Sequence, residues 1–100
     1  MSAKVLVVDD KQMMRDSIGI TLQRAGFTAV AAHDGETALK LMARHRPAAV
    51  VTDLKMPAMD GLELLDRIRR VDDQAPVVLM TAYGNIETAV SAMKRGAFDF

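Results

Sequence analysis

The hydrophobic pattern of this chain predicts an α/β domain in which parallel strands are covered by helices on both faces. Three observations carry that reading. Half of the 100 residues are apolar, enough for one domain with an ordinary core. The apolar runs Val5-Leu6-Val7-Val8, Ala48-Ala49-Val50-Val51 and Val77-Val78-Leu79-Met80 are continuous rather than alternating, as strands buried on both sides require. Between them lie stretches whose apolar residues recur every three or four positions, and the two patterns alternate along the chain.

The first run is closed at once by Asp9 and Asp10. Met14, Ile18 and Leu22 then recur at i, i+4 and i+8 and predict a helix, with Gly26 as the residue just past its end. Residues 28–32 are less apolar and suit an edge strand. Asp34 caps a second helix whose apolar side carries Ala38, Leu39 and Met42 and which ends before Pro47. After the run at 48–51, Leu64, Ile68 and Val71 stripe a third helix that begins near Gly61. After the run at 77–80, Ile86, Ala89, Val90 and Met93 stripe a fourth, with Asn85 as its N-cap and Gly96 beyond its end. The count is four strands and four helices, each helix with one buried side. A further strand begins at Phe98-Asp99-Phe100.

Composition removes several function classes. Lys plus Arg equals Asp plus Glu at 13 each, so the formal charge is zero and nothing is built to attract nucleic acid. Cysteine is absent, which excludes a disulfide scaffold and a thiolate zinc site and suits a cytoplasmic address. No apolar run reaches the length of a signal peptide core or a membrane span, so the chain reads as soluble. His33 and His45 have no metal-ligand spacing, and no glycine-rich phosphate loop occurs. Met14, Met42, Met80 and Met93 fall on core stripes, while Met56 and Met59 flank Pro57 and shape a loop. Arg67, Arg69, Arg70, Lys94 and Arg95 cluster at helix C-termini, where cations offset the dipole.

The polar residues at the ends of the buried runs are Asp9 and Asp10, Asp53, and Thr81. In a parallel sheet these exits share one edge, and open α/β sheets bind ligands there. Asp9, Asp10 and Asp53 are therefore expected to converge on one cleft. Two unit charges about 4 Å apart repel by roughly 4 kcal/mol at an effective dielectric near 20, so the cluster needs compensation. An all-oxygen donor set without His or Cys suits Mg²⁺. A carboxylate facing Mg²⁺ beside a hydroxyl and amide groups can accept a phosphoryl group as an aspartyl phosphate. Asp53 stands alone and is the candidate nucleophile; the paired Asp9 and Asp10 are placed to hold metal. A single Asp at a turn would carry little weight. Three at matched strand ends, joined by Thr81, carry more.

The motifs VLVVDD at 5–10, TDLKMPAMDG at 52–61, Thr81-Ala82 and KRGAFDF at 94–100 resemble the receiver domain of bacterial two-component response regulators, over essentially the whole chain. The stretch TAYGNIETAVSAMKRGAFDF at 81–100 resembles the NtrC-like subfamily, whose receivers precede a σ54-activating ATPase domain. The resemblance implies a flavodoxin-like, doubly wound parallel sheet of strand order 2-1-3-4-5. It implies that residues 1–100 are one receiver domain, truncated at the start of the fifth strand and without its fifth helix. By the same resemblance, Asp53 accepts phosphoryl from a sensor histidine kinase, Asp10 ligates Mg²⁺ directly, Asp9 acts largely through water, and the Lys55 backbone carbonyl completes the protein ligands. Thr81 matches the switch hydroxyl, Ala82 the neighbour whose N–H helps hold the phosphoryl oxygens, and Phe100 the switch aromatic.

The implied function is a phosphoacceptor switch rather than a turnover enzyme. It controls an effector domain in transcription regulation, with homodimer pairing around the fourth helix. The family's lysine beyond Phe100 is not reached, so the chain reads as a fragment that is marginal or self-associating when isolated. Two alternatives remain at this level. One is an interaction domain independent of phosphorylation. The other is a Mg²⁺-dependent phosphohydrolase with an Asp nucleophile, which is weakened because Lys55 stands where such enzymes need a second acid.

Overall fold

The computed structural model describes residues 3–80 and 94–98. Four parallel strands, β1 (Lys4–Val8), β2 (Thr28–Ala32), β3 (Ala49–Asp53) and β4 (Val77–Met80), form one sheet in the order β2-β1-β3-β4. The helices α1 (Gln12–Arg24), α2 (Gly35–His45) and α3 (Gly61–Val71) make the crossovers. The flavodoxin-like, doubly wound architecture and the edge position of β2 agree with the sequence reading. β3 runs two residues past its apolar run. Thr52 and Asp53 still pair, with Leu79 and Met80 on β4, because ladder bonds need only backbone, and the buried Thr52 hydroxyl donates to the Asp53 carbonyl at 3.1 Å. The helix expected around residues 85–93 lies outside the described residues, as do Thr81, Ala82 and Phe100. The Phe98 N–H donates to the Val77 carbonyl at 2.8 Å, on the β4 side where the strand order 2-1-3-4-5 calls for a fifth strand.

The main core lies on one face of the sheet. Leu6, Val8, Val50, Val77 and Leu79 point to that face and pack with Ala38 and Met42 of α2 and Leu64, Leu65 and Ile68 of α3. The opposite face, represented by Val7, Ala29 and Ala31, lies under α1 beside Arg15, Gly19 and Ile20. Here the expected stripes are only partly realised. No residue of α1 is buried, Ile18 and Leu22 are half-buried, and Met14 is 42% exposed rather than in the core. The seat of α1 explains this. A Cβ on Gly19 would stand 3.8 Å from that of Ala29, so the helix approaches an edge strand of alanines that offers long side chains little to bury against. Val71, expected on the buried stripe of α3, is 62% exposed; it ends the helix beside an open groove with Met42, Arg46 and Pro47. Leu65 takes core space instead.

Helix ends follow local chemistry. The Phe27 N–H donates to the Leu22 carbonyl and the Gly26 N–H to that of Gln23, both at 3.0 Å, with Gly26 at φ 93°; this is the left-handed Schellman ending that the glycine predicts. Asp34 Oδ1 accepts the Thr37 N–H at 2.8 Å, and α2 ends at Arg46, in the left-handed region, just before Pro47. Asp60 caps α3 by accepting the Glu63 N–H at 2.9 Å. Arg69 does more than offset a dipole: its guanidinium donates to the carbonyls of Asp72, Ala75 and Gly96.

The Asp34 carboxyl is held below the usual carboxylate range, first by the Thr37 N–H it accepts. A carboxyl whose pKa falls on folding stabilises the native state above its unfolded value of about 4, and that stabilisation fades as pH drops through the folded value. The urea midpoint of Asp34→Ala is therefore expected below that of the parent near about pH 7 and to converge on it toward about pH 3. A gap that stays constant across the range would assign the effect to something other than the ionised carboxylate.

Candidate functional site

β1 and β3 are hydrogen-bonded neighbours, and their register pairs Val8 with Thr52. The next residue on each chain is an aspartate, so Asp9 and Asp53 meet at the carboxyl edge of the sheet. The Asp9 N–H donates to the Ala32 carbonyl at 3.2 Å, which continues the β1–β2 ladder by one residue and fixes its backbone. Asp53 ends β3, and the Leu54 N–H after it donates to Met80 at 2.9 Å. α3 then closes on this corner. The Gly61 N–H donates to the Leu54 carbonyl at 2.8 Å, and a Cβ at Gly61 would stand 2.5 Å from the Asp53 carbonyl oxygen and 2.9 Å from Leu54 Cα. Only glycine lets the helix start this close to the Asp53 backbone.

One carboxylate oxygen from each of Asp9, Asp10 and Asp53 lies within 4.8 Å of the others. Asp9 is buried, Asp53 half-buried and Asp10 exposed. Asp9 Oδ1 accepts the Lys11 N–H at 2.9 Å, and the Asp9 carbonyl accepts from Arg15 Nη1 at 2.8 Å. Asp53 Oδ1 faces the Lys55 N–H at 3.4 Å. The Lys11 ammonium stands 3.5 Å from Asp10 Oδ1 and 3.7 Å from Asp53 Oδ2. Burial pushes the Asp9 carboxyl above the usual range; the Lys11 N–H opposes that shift, and the Asp53 and Asp10 charges add to it.

These donors fit a small, hard divalent cation. All are oxygens, and an octahedral ion with bonds of about 2.1 Å sets its opposite ligands about 4 Å apart, close to the spread observed. A cationic group, the Lys11 ammonium, already lies against two of the three. Mg²⁺ suits such a set, leaving coordination positions for water or phosphate oxygens.

The structure thus brings together Asp9, Asp10 and Asp53, with Lys55 two residues beyond on an exposed loop. Thr81, Ala82 and Phe100 fall outside the described residues. His33 pairs with Asp34 Oδ2 at 3.2 Å and His45 lies 3.4 Å from the Lys4 ammonium, so neither joins the acids. Sequence reasoning missed Lys11, Arg15 and Gly61. A lysine at a helix N-cap is out of place and was the available signal for the first; Gly61 is marked in the pattern only as a helix start, and nothing there marks Arg15. Among the described residues, no helix is long and apolar enough to cross a membrane.

Comparison with known proteins agrees with this geometry. Residues 5–100 match the family described as response regulator receiver domain. The regulatory protein AtoC of Escherichia coli (strain K12) is 41% identical over 97 residues, which is 97% of this chain and 21% of AtoC. The chain therefore spans about a fifth of that relative. Among solved structures, the Vibrio cholerae chemotaxis protein CheY4 superposes with a TM-score of 0.94 at 31% identity, covering 99% of this chain and 84% of CheY4. NtrX from Brucella abortus, solved in complex with ATP, superposes with a TM-score of 0.92 at 41% identity, covering 100% of this chain and 23% of NtrX.

The raised Asp9 carboxyl has a stability consequence. A group whose pKa rises on folding favours the native state at low pH and loses that contribution as pH rises through its folded value. Ionised Asp9 is thus a burden on the metal-free protein near neutrality. Asp9→Asn, which keeps an oxygen for the Lys11 N–H, is expected to melt higher than the parent in a chelator near about pH 7, with the gain shrinking in acid. Equal melting temperatures near neutrality would contradict the burial argument.

Proposed function

The chain belongs to the response regulator receiver domain family, and from that membership we propose that it is a phosphoacceptor signalling switch. Asp53 accepts a phosphoryl group from a phosphohistidine on a sensor histidine kinase. Asp9, Asp10 and Asp53, with the Lys55 backbone carbonyl, hold Mg²⁺. The observation that supports this reading is the meeting of three carboxylates, from the ends of two neighbouring strands, within 4.8 Å.

In the transfer, an Asp53 oxygen forms a bond to phosphorus while the P–N bond of the donor breaks; the electron pair stays on that nitrogen, and because the donor ring carries a proton on its other nitrogen it departs as neutral imidazole. Bound Mg²⁺ supplies neutralisation of charge on the phosphoryl oxygens. The protein contributes position. Asp53 sits at the end of a strand held on both sides, and Gly61 sets the approach of α3 behind it. Thr81 and Ala82 take the phosphoryl oxygens through hydroxyl and N–H, and Phe100 relays the change, as the family resemblance implies.

The product stays on the protein's own side chain, so the domain is a switch and not a turnover enzyme. Its output is an effector domain in a longer cytoplasmic regulator of transcription, with pairing of two receivers as one route. An NtrC-like architecture with a σ54-activating ATPase is supported by the motif at 81–100 and by the ATP bound in the structure of NtrX.

Incubation with acetyl phosphate and Mg²⁺ is expected to add one phosphoryl group, detected by intact mass. Asp53→Asn should abolish the adduct, and Asp10→Ala should slow its formation by about tenfold or more at limiting Mg²⁺. Normal labelling of Asp53→Asn would overturn the assignment.

A further inference from the structure

Lys11 stands where helix physics does not ask for a lysine. It is the N-cap of α1, its side chain caps nothing, and the first turn carries no acid. The preferred residues there are Ser, Thr, Asp and Asn, and a cation opposes the positive end of the helix dipole. Such a local conflict in a natural sequence tends to mark a functional position. Lys11 instead sets its ammonium against Asp10 and Asp53, at 3.5 and 3.7 Å. Among the described residues no other side-chain cation pairs with these acids. The Arg15 guanidinium is engaged by the Asp9 carbonyl, and residues 81–93 contain neither Lys nor Arg.

Resting on the reading that the three carboxylates hold Mg²⁺, we propose that Lys11 is an intramolecular competitor for the metal site. Its ammonium shares the field of Asp10 and Asp53 when no ion is bound and must swing aside for Mg²⁺ to enter. The geometry permits this. The Lys11 backbone is fixed by its N–H to Asp9 Oδ1 at 2.9 Å, while the long side chain is 62% exposed and free to turn outward at little cost. Lys11 thereby sets the affinity for Mg²⁺, and with it the fraction of protein ready to accept phosphoryl at a given Mg²⁺ concentration. In the metal-free protein the same ammonium eases the repulsion among the acids.

Two effects of opposite sign follow from one substitution. Lys11→Gln is expected to lower the melting temperature in a chelator and, by calorimetric titration with MgCl₂, to bind the ion roughly two- to fivefold more tightly, the scale on which exposed ion pairs act. The difference in affinity should narrow as NaCl rises, because salt screens the ammonium. Lys11→Arg, which keeps the charge, should stay near the parent. Lys40→Gln, an exposed lysine of α2, controls for net charge and should leave the Mg²⁺ constant unchanged. If the parent and Lys11→Gln bind Mg²⁺ with the same constant, the competition is refuted while the metal site stands. If neither binds it, both fall.

Discussion

Asp9 and Asp53 stand side by side because β1 and β3 are paired, and the properties of the site descend from that pairing. The pairing carries a cost. Carboxylates about 4 Å apart repel by roughly 4 kcal/mol at an effective dielectric near 20, and Asp9 also loses solvent. The fold accepts this because other rows of the same strands fix the register. Leu6, Val8, Val50, Val77 and Leu79 are buried against α2 and α3, and each such side chain contributes about 1.5–3 kcal/mol. Five of them outweigh one repulsive corner. The acids are thus held together by a core that has no part in their chemistry, and their repulsion is left as a standing demand for a cation.

Much of this arrangement is legible in the residues. Parallel strands buried on both faces must be apolar throughout, so the runs ending at Val8, Val51 and Met80 announce themselves, and the weaker residues 28–32 announce an edge. Asp34, Gly26 and Pro47 mark helix ends for reasons that are local to the backbone. The convergence of Asp9, Asp10 and Asp53 is also readable, since parallel strands share a carboxyl edge whatever their order. The order itself is a different matter: periodicity does not reveal that β1 lies between β2 and β3, and that information came through the motifs shared with a family.

What was not legible depends on packing between elements distant in sequence. The stripe of Met14, Ile18 and Leu22 has the right period for burial, yet α1 rests on alanines of the edge strand, and a helix buries only as much as its seat allows. Val71 keeps the period of α3 but ends it, beside an open groove. Gly61 reads from sequence as an ordinary helix start. Its significance is the 2.5 Å that would separate an added Cβ from the Asp53 carbonyl, which no one-dimensional pattern contains. Lys11 is the intermediate case: the misfit at a helix cap and the neighbouring acids are visible in sequence, but the placement of its ammonium against both Asp10 and Asp53 is a fact of the folded structure.

α3 connects these observations. At its first residue it abuts the Asp53 backbone, with the Gly61 N–H on the Leu54 carbonyl at 2.8 Å. Near its last turn, Arg69 reaches the carbonyls of Ala75 and Gly96, and Asp66 pairs with Arg95 at 3.8 Å. Between these ends, Leu64, Leu65 and Ile68 are wholly buried, so the helix cannot bend or slide without opening the core. A rigid element therefore joins the corner that carries the candidate nucleophile to the residues that follow 81–93. Displacing one end displaces the other, or else breaks charge-assisted bonds to peptide carbonyls, each worth about 1.5–3 kcal/mol. The segment at 94–98 is in this way referenced to the site through the buried body of α3 and through the polar contacts of Arg69 and Asp66 with Gly96 and Arg95.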